Sequence, residues 1–249
     1  MRAFFLPSIP VVGEETVLPG EEAFHAVRVL RLRAGDAVRL LDGCGRRAAA
    51  EIVRVERHGR EETVVVRSAH VELWEPPLVR LHLLVAPPRA KLMAQLVKDA
   101  TELGVWRITP VLCEFSVAKP EGGNTVEHWR TDALTALKQS GNPFLPVIDA
   151  ALPFARGLAA TTVPGVFGDL TGGLTVPPPH CPTATPFELP VWIGPEGGFA
   201  AGERQALLAR GVVPVQIGNW ILRVETAVPA MVGFLLGAGG NDYNCHQRS

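Results

Sequence analysis

The sequence predicts an α/β protein in which a small β-rich domain precedes a domain built on a mostly parallel sheet. Short β-type runs separated by turns dominate the first 75 or so residues, whereas apolar strand-like runs alternate with helical patterns from Leu81 onward. Alternation of this kind indicates a parallel sheet covered by helices on both faces. The stiff segment Glu75-Pro76-Pro77 separates the two patterns. We therefore expect domains at 1–75 and 76–240, followed by a flexible tail at 241–249.

The first domain is predicted to contain one short helix and three strands, as in a small barrel. The helix begins after Gly20 and runs to Arg31, because Phe24, Val27 and Leu30 recur along one side. The strands cover 37–41, 48–55 and 63–66, with glycine-containing turns between them. Arginines crowd this helix and the turns after it, as expected of a surface that contacts RNA phosphates, although a solvated helix face has a similar composition. These arginines are Arg28, Arg31, Arg33, Arg39, Arg46 and Arg47.

The elements of the second domain are predicted from the spacing of its apolar residues, which alternates between helical and strand-like along the chain. Helices carry an apolar stripe at a spacing of three to four residues, and strands are short apolar runs bounded by turn residues. A stretch rich in Pro and Gly, 171–190, is expected to be an ordered surface loop. The predicted helices are 91–103, 126–140, 154–160 and 225–236, with a short polar helix before residue 212, and the predicted strands are 81–86, 108–112, 145–148, 163–167, 191–193 and 212–217.

Composition narrows the possible classes of protein. The chain has 249 residues, 47% of them hydrophobic, and a net charge of −1, which is enough apolar material for a sizeable core and too little charge for an overall electrostatic trap for nucleic acid. Its four cysteines form no Cys-x-x-Cys pair, so we expect neither a zinc site nor a disulfide framework, and a reducing, cytoplasmic location. The most apolar stretch, 228–238, contains Pro229 and two glycines, so no membrane span is expected.

Two glycine-rich turns near the C-terminus mark the candidate active site. Each turn follows a predicted strand and opens onto a predicted helix, and ligands bind at such positions in open α/β sheets. The first turn alone could be only a tight turn. The second turn places Arg223 and Glu225 between apolar runs, where ionisable groups cost free energy unless they are paired or functional. The turns read Gly194-Pro195-Glu196-Gly197-Gly198-Phe199 and Gly218-Asn219-Trp220-Ile221-Leu222-Arg223-Val224-Glu225-Thr226-Ala227.

These two turns and several other blocks make the chain resemble a known family. It is similar to the RsmE family of 16S ribosomal RNA uridine-N3 methyltransferases, within the SPOUT class of S-adenosylmethionine-dependent enzymes, over nearly its whole length. The most specific pair is 194–199 with 221–227. The other blocks are Arg2-Ala3-Phe4-Phe5, the arginine-rich segment 25–36, Lys98-Asp99-Ala100-Thr101-Glu102-Leu103-Gly104-Val105, and Gln139-Ser140-Gly141 followed by Pro146.

The resemblance implies a SPOUT-type trefoil-knotted domain preceded by a PUA-like RNA-binding domain. It also implies a homodimer, 16S rRNA as the substrate, inside or outside the small ribosomal subunit, and S-adenosylmethionine as the methyl donor, with no metal. The cofactor would contact the two turns and the end of an earlier strand. Cofactor candidates are Leu170, Ile193, Gly194, Pro195, Gly197, Gly198, Ile217, Gly218, Asn219, Ile221, Leu222, Thr226 and Ala227, and RNA-binding candidates are His25, Arg28, Arg31 and Arg33.

The expected chemistry assigns roles to three ionisable residues. Methylation at N3 removes a weakly acidic proton, and negative charge develops on the pyrimidine oxygens, so a positioned cation stabilises the transition state. Arg223 is the candidate for that role or for gripping the RNA. Glu196 or Glu225 would accept the proton or orient a water, or would instead pair with Arg223.

Two positions depart from the family pattern. Phe115, in Phe115-Ser116-Val117, and Asn142, after Gln139-Ser140-Gly141, stand where the family usually has arginine. Two alternatives therefore remain beside the prediction of a uridine-N3 methyltransferase. One is a SPOUT enzyme that acts on another RNA or another atom, and the other is an RNA-binding assembly module that has lost catalysis.

Overall fold

The computed structural model of the chain describes residues 2–58, 61–118, 124–173, 186–239 and 245–246. The strands are β1 (Arg2–Phe5), β2 (Glu15–Val17), β3 (Ala37–Leu41), β4 (Arg46–His58), β5 (Glu61–Trp74), β6 (Val79–Val85), β7 (Arg107–Leu112), β8 (Val147–Ile148), β9 (Leu152–Pro153), β10 (Val166–Gly173), β11 (Phe187–Ile193), β12 (Val213–Val215) and β13 (Cys245–His246). The helices are α1 (Gly20–Phe24), α2 (Ala90–Glu102), α3 (Thr125–Ser140), α4 (Phe154–Ala160), α5 (Ala201–Ala209) and α6 (Val224–Gly239).

The chain divides into two compact units. The first is built from Met1–Pro76, Leu137–Leu145 and Tyr243–Ser249, so far as these segments are described, and the second from Pro77–Ala136 and Pro146–Asp242. Most of the predicted tail, 241–249, lies outside the described residues. Its two described residues form β13 and pair antiparallel with β5.

The first unit is a sheet in the order β1-β3-β4-β5-β13, with β2 also paired to β5. β1 and β3 run parallel, and the other pairs are antiparallel. Alternate residues of these strands point into one core, where Phe4, Leu40 and Ile52 are fully buried. The predicted strands 48–55 and 63–66 are the middles of the much longer β4 and β5. Register shifts along this pair mark bulges, which bend a long hairpin.

The predicted helix of the first unit, 20–31, is helical as far as Val29, so the prediction is wrong only over its last two residues. The α-helix ends at Phe24, and a π-helical turn, His25–Val29, continues the chain. Ala26 and Val27 are buried in this turn, so the wider winding still brings apolar side chains to the core. Arg31 then takes a left-handed conformation with φ of 56°, which ends the helical path.

The second unit contains the predicted parallel sheet, and this prediction is confirmed. Its order is β12-β10-β11-β6-β7-β8, with β9 also paired to β7, and every pair is parallel. The central strands are near-continuous apolar runs, as expected of strands with both faces buried. Trp192 and Phe167 are fully buried on neighbouring strands. Helices α2 and α6 pack against each other.

The surface loop predicted at 171–190 is wrong at both ends. β10 continues to Gly173, and β11 begins at Phe187 and pairs with β6 along its whole length. The middle, 174–185, lies outside the described residues. The sequence did not predict this strand because it contains Pro190, and proline has no N–H to donate to the hydrogen-bond ladder of a sheet. Pairing of β11 with β10 starts only at Val191, so Pro190 precedes the paired segment on that side.

The topology positions the second half of the chain for ligand binding. β10, β11 and β12 are adjacent and parallel, so the loops that follow them emerge at one edge of the sheet. The trefoil knot that the resemblance implies stays a prediction.

Candidate active site

A cleft of about 330 Å³ lies beside β10 and beyond the carboxyl ends of β11 and β12. Its walls come from the two glycine-rich loops, from β10, from Arg204 of α5 and from Ala227 of α6. The volume falls within the range of pockets that hold small molecules, about 300–1,000 Å³. Apolar side chains with a few polar groups line it, as in such pockets.

The first loop follows β11 and is a tight turn that favours glycine at positions 194 and 198. The Gly198 N–H donates to the Pro195 carbonyl oxygen at 2.8 Å, and Gly198 has a φ of 76°, which disfavours any residue with a Cβ. A Cβ atom at Gly194 would lie 3.2 Å from the Phe199 ring. That ring is held by edge contacts with Phe154 and Phe167, at centroid distances of 6.1 Å and 6.0 Å. The three glycines of the loop therefore let its backbone approach the cleft beside the side chains of Pro195, Glu196 and Phe199.

The second loop follows β12 and leads into α6. The Gln216 side chain donates from Nε2 to the Gly218 carbonyl oxygen at 3.0 Å, which braces the start of the loop. Trp220 and Ile221 are 79% and 75% exposed, although both line the cleft. The Arg223 carbonyl oxygen accepts the first N–H groups of α6, so the helix begins directly after the candidate arginine.

The wall of the cleft formed by β10 and Arg204 carries an ion pair that the sequence did not predict. Asp169 Oδ2 accepts from Arg204 Nε at 2.6 Å, and Asp169 Oδ1 accepts from the Thr171 N–H and hydroxyl at 2.7 Å. Burial opposes ionisation of Asp169, but these Thr171 and Arg204 contacts outweigh it and keep the pKa of the carboxyl below its ordinary value. The sequence could have pointed to Asp169, because its carboxylate follows the predicted strand 163–167 by two residues. Its partner lies on a helix 35 residues away, which no local pattern indicates.

Most of the cofactor candidates lie together in the cleft wall, and two do not. Asn219 and Thr226 are absent from the lining, whereas Gly168, Phe199 and Val215 line it without having been predicted. The candidates that line it are Leu170, Ile193, Gly194, Pro195, Gly197, Gly198, Ile217, Gly218, Ile221, Leu222 and Ala227.

The three catalytic candidates differ in their surroundings. Glu196 is exposed and lines the cleft. Arg223 is exposed and directly follows the lining residue Leu222, and its guanidinium has no hydrogen-bond or ion-pair partner among the described residues. Glu225 is half-buried, and within the same described ranges its Oε2 atom is buried without a hydrogen-bond donor. Among the described residues, Arg223 is thus an unpaired cation beside the cleft, and Glu196 and Glu225 are carboxylates at or beside it in addition to the paired Asp169.

The two positions that depart from the family pattern have local roles. Phe115 lies against the first glycine loop, where a Cβ atom at Gly197 would be 3.4 Å from the Phe115 Cβ. Asn142 accepts from the Phe144 N–H at 3.0 Å and closes the turn after α3.

The RNA-binding candidates lie on the first unit, around the π-helical turn. His25, Arg28, Arg31 and Arg33 are all exposed. Arg28 forms an ion pair with Glu62, whose side chain is almost completely buried. Part of the arginine cluster is therefore structural, and the rest is available to a ligand.

Two further findings concern only the ranges that the structure describes. No helix there is both long enough and apolar enough to cross a membrane. No group of three or more His, Cys, Asp or Glu side chains there is arranged to hold a metal ion.

Comparison with protein families and known proteins gives matches over both units. Residues 75–236 match a family described as an RNA methyltransferase domain, and residues 18–59 match one described as an RNA methyltransferase PUA domain. A protein of Mycobacterium bovis named ribosomal RNA small subunit methyltransferase E is 28% identical over 92% of this chain and 89% of its own length. A protein of the same name from Synechocystis is 29% identical over 87% of this chain and 71% of its own length.

The fold is shared with a solved structure. The crystal structure of a ribosomal RNA small subunit methyltransferase E from Neisseria gonorrhoeae, bound to S-adenosylmethionine, has a TM-score of 0.81. The two chains are 25% identical, and the match covers 94% of this chain and 95% of the other.

Proposed function

From the premise that this chain belongs to the RNA methyltransferase family, we propose that it methylates N3 of a uridine in 16S ribosomal RNA, with S-adenosylmethionine as the methyl donor. The family match covers more than half of the chain, and the first domain matches the PUA domain of RNA methyltransferases, as the resemblance implied. The curated relatives carry the name ribosomal RNA small subunit methyltransferase E. The chain is therefore a methyltransferase, and its substrate is the part that we propose.

The observation that carries the proposal is the cleft with its two glycine loops. Its backbone-lined floor and the apolar side chains of Leu170, Ile217 and Leu222 suit the flat adenine of S-adenosylmethionine. Glu196 adds negative charge to the wall, which suits a ligand that carries a positively charged sulfur and an ammonium group, whereas the charge of Asp169 is balanced by Arg204. The volume of the cleft, its apolar side chains and its carboxylate thus fit S-adenosylmethionine. When bound, it supplies an activated methyl group on sulfur.

We assign transition-state stabilisation to Arg223. As the N3 proton leaves for a base, negative charge spreads from N3 to the two pyrimidine oxygens, and this charge is neutralised when N3 gains the methyl group. Arg223, whose guanidinium is unpaired within the part of the chain that the structure describes, lies between the cleft-lining Leu222 and the first turn of α6, so it can donate to one of these oxygens or to a nearby phosphate.

We assign proton removal to one of the two carboxylates. Glu196 faces the cleft and is open to solvent, so it can take a proton directly or through a water. Glu225 has a buried oxygen without a donor among the described residues, and such an oxygen is costly unless a ligand or a cation satisfies it. Replacing each carboxylate by the amide separates the two assignments.

The first unit would bind the RNA outside the reacting nucleotide. Exposed His25, Arg31 and Arg33 suit phosphate contacts. The N3 edge of a uridine is hidden by base pairing in a duplex, so the target must be unpaired or flipped out. A ribosomal RNA substrate also supports a cytoplasmic location.

We propose a homodimer as the active form. α6 buries Val228, Met231 and Val232 within its own chain. The same helix keeps Phe234 and Leu236 only half-buried, so apolar surface remains for a second copy.

The test is transfer of labelled methyl groups to small ribosomal subunits that lack the modification, followed by mass spectrometry of the digested nucleosides. The proposal expects N3-methyluridine as the product, and Arg223→Ala to lower turnover far more than cofactor affinity. Methylation of another base or another atom would replace the substrate assignment. Absence of transfer by a protein that binds the subunits would leave only an RNA-binding role.

A further inference from the structure

Phe115 stands on a turn that the structure holds rigidly. The turn follows β7 and is closed from both ends: the Cys113 N–H donates to Ser116 Oγ at 2.9 Å, and the Ser116 N–H donates to the Cys113 carbonyl oxygen at 3.1 Å. Glu114 and Phe115 are its two central residues. The backbone that carries the Phe115 ring is therefore fixed by its own hydrogen bonds.

A single carboxylate ties this turn to the first glycine loop. Glu203 Oε1 accepts from the Glu114 N–H at 2.9 Å, and Glu203 Oε2 accepts from the Ala200 N–H at 3.0 Å. Ala200 directly follows the loop that ends at Phe199. Hydrogen bonds from backbone N–H groups to a carboxylate are among the stronger ones. The Phe115 turn and the cleft loop therefore keep a constant relative position.

The Phe115 side chain lies beside the cleft loop and is half exposed. A Cβ atom at Gly197 would lie 3.4 Å from Phe115 Cβ and 3.6 Å from Phe115 Cδ2. Gly197 itself lines the cleft. Phe115 is nevertheless 49% exposed, so an aromatic ring on a rigidly held backbone borders the site without completing a core.

The chemistry of this ring points to a nucleobase. Phenylalanine carries no charge and no donor, so it cannot bind phosphate or stabilise an oxyanion. Its ring can replace the stacking that a base loses when it leaves a helix, and every base has a face that stacks on an aromatic ring. A pre-organised ring loses little freedom on binding.

We propose that Phe115 is the platform on which the target base stacks while its N3 edge faces the cleft. This inference rests on the proposed function and adds a substrate-binding residue to it. Phe115 holds the base through its face, Glu203 positions Phe115, and neither residue takes part in proton transfer. The site thus substitutes stacking for the cationic contact expected where related proteins usually have arginine.

The test compares four variants on the full-length protein with undermethylated small ribosomal subunits as substrate. Phe115→Ala removes the ring, Phe115→Tyr keeps it, and Phe115→Arg exchanges stacking for charge. Val117→Ala is the matched control, because Val117 is 66% exposed on the same segment and has no assigned contact with the cleft. The readouts are kcat/KM for the subunits, affinity for the subunits at several salt concentrations, and S-adenosylmethionine affinity by calorimetry.

We expect Phe115→Ala to lower kcat/KM by about five- to 150-fold, the range for loss of one base–aromatic stack. The Tyr variant and the Val117 control should stay near the wild type, and S-adenosylmethionine affinity should not change. Loss of stacking should leave the slope of log affinity against log salt unaltered. Phe115→Arg should steepen that slope by about 0.7–0.9, because one phosphate contact is added.

Three results would overturn the assignment. Wild-type kcat/KM in Phe115→Ala would show that the ring does not bind substrate. Equal losses of subunit and cofactor affinity would make Phe115 part of the cofactor wall. A change in sedimentation mass would make the ring a contact between two copies of the chain. If the wild type binds subunits but transfers no methyl group, the proposed function fails, while the affinity comparison still decides the role of Phe115.

Discussion

The stability of the second unit should depend on pH through one buried histidine. His82, on β6, is 8% exposed, and its Nε2 lies 2.7 Å from Thr109 Oγ1. The Thr109 hydroxyl donates to Asp149 Oδ2, so the histidine is the donor to Thr109. Burial and, to a lesser extent, the Arg107 guanidinium lower the pKa of His82 to about 4 against the opposing charge of Asp149. Glu188 lies 3.5 Å from Nδ1, but its side chain is 39% exposed and solvent screens its charge.

The sign and size of the effect follow from these values. An unfolded histidine takes up a proton near pH 6.5, whereas His82 in the folded chain does so only near pH 4, so the unfolded state binds more protons between these values. The contribution is complete above pH 6.5 and is lost as the pH falls toward 4. The full loss is about 3 kcal/mol, and about 2 kcal/mol of it falls between pH 7.5 and pH 5.

Urea unfolding followed by tryptophan fluorescence at pH 7.5, 6 and 5 measures this loss. His82→Gln is the control, because glutamine can still donate to Thr109 but does not titrate. We expect the wild type to lose about 2 kcal/mol more than the variant over this range. Asp149 does not interfere, because its pKa is lowered and its contribution disappears only at more acidic pH. Parallel pH profiles for the two proteins would refute the assignment of this loss to His82.

Four other substitutions test three separate parts of the structure. Arg223→Ala should lower kcat by at least about 100-fold, in the range for loss of one oxyanion donor, with S-adenosylmethionine affinity kept within a few-fold in calorimetry; equal losses of both would sink the catalytic role. Gly198→Ala should cost about 1–2 kcal/mol in urea unfolding, because Gly198 has a φ of 76°, and an unchanged midpoint would contradict the required left-handed backbone. Arg28→Ala should destabilise the first unit by about 2–3 kcal/mol, since it leaves the buried Glu62 carboxylate unpaired, whereas Arg31→Ala should weaken RNA binding without loss of stability.

The parallel sheet could be predicted because its strands are buried on both faces. Leu81 to Val85 is apolar except for the buried His82, and Val191 to Ile193 is wholly apolar, and such runs indicate buried strands without any tertiary information. The first half of β11 was missed because Pro190 is a poor strand residue. It is tolerated only because pairing with β10 begins one residue later, which is a property of the fold.

The candidate site was predictable where it depends on backbone and not where it depends on distant pairs. Glycines such as Gly194 and Gly198 indicate tight turns already in the sequence. In the structure, a side chain at position 194 would crowd the Phe199 ring, and Gly198 has a positive φ that favours glycine. The Asp169–Arg204 pair joins a strand to a helix, so neither residue alone indicates it. The same is true of Phe115, whose place beside Gly197 depends on the Glu203 hydrogen bonds.

The most direct test of the central claim is S-adenosylmethionine binding to the purified protein by calorimetry. Gly197 lines the cleft and has Phe115 behind it, so the side chain in Gly197→Leu must enter the cleft or displace the ring. Gly202→Leu is the control, because a Cβ atom at Gly202 meets no other atom within 4 Å. The account predicts binding by the wild type and the control, and its loss in a folded Gly197→Leu variant. Unchanged affinity in that variant would place the cofactor elsewhere, and absence of binding by the folded wild type would contradict methyl transfer by this chain.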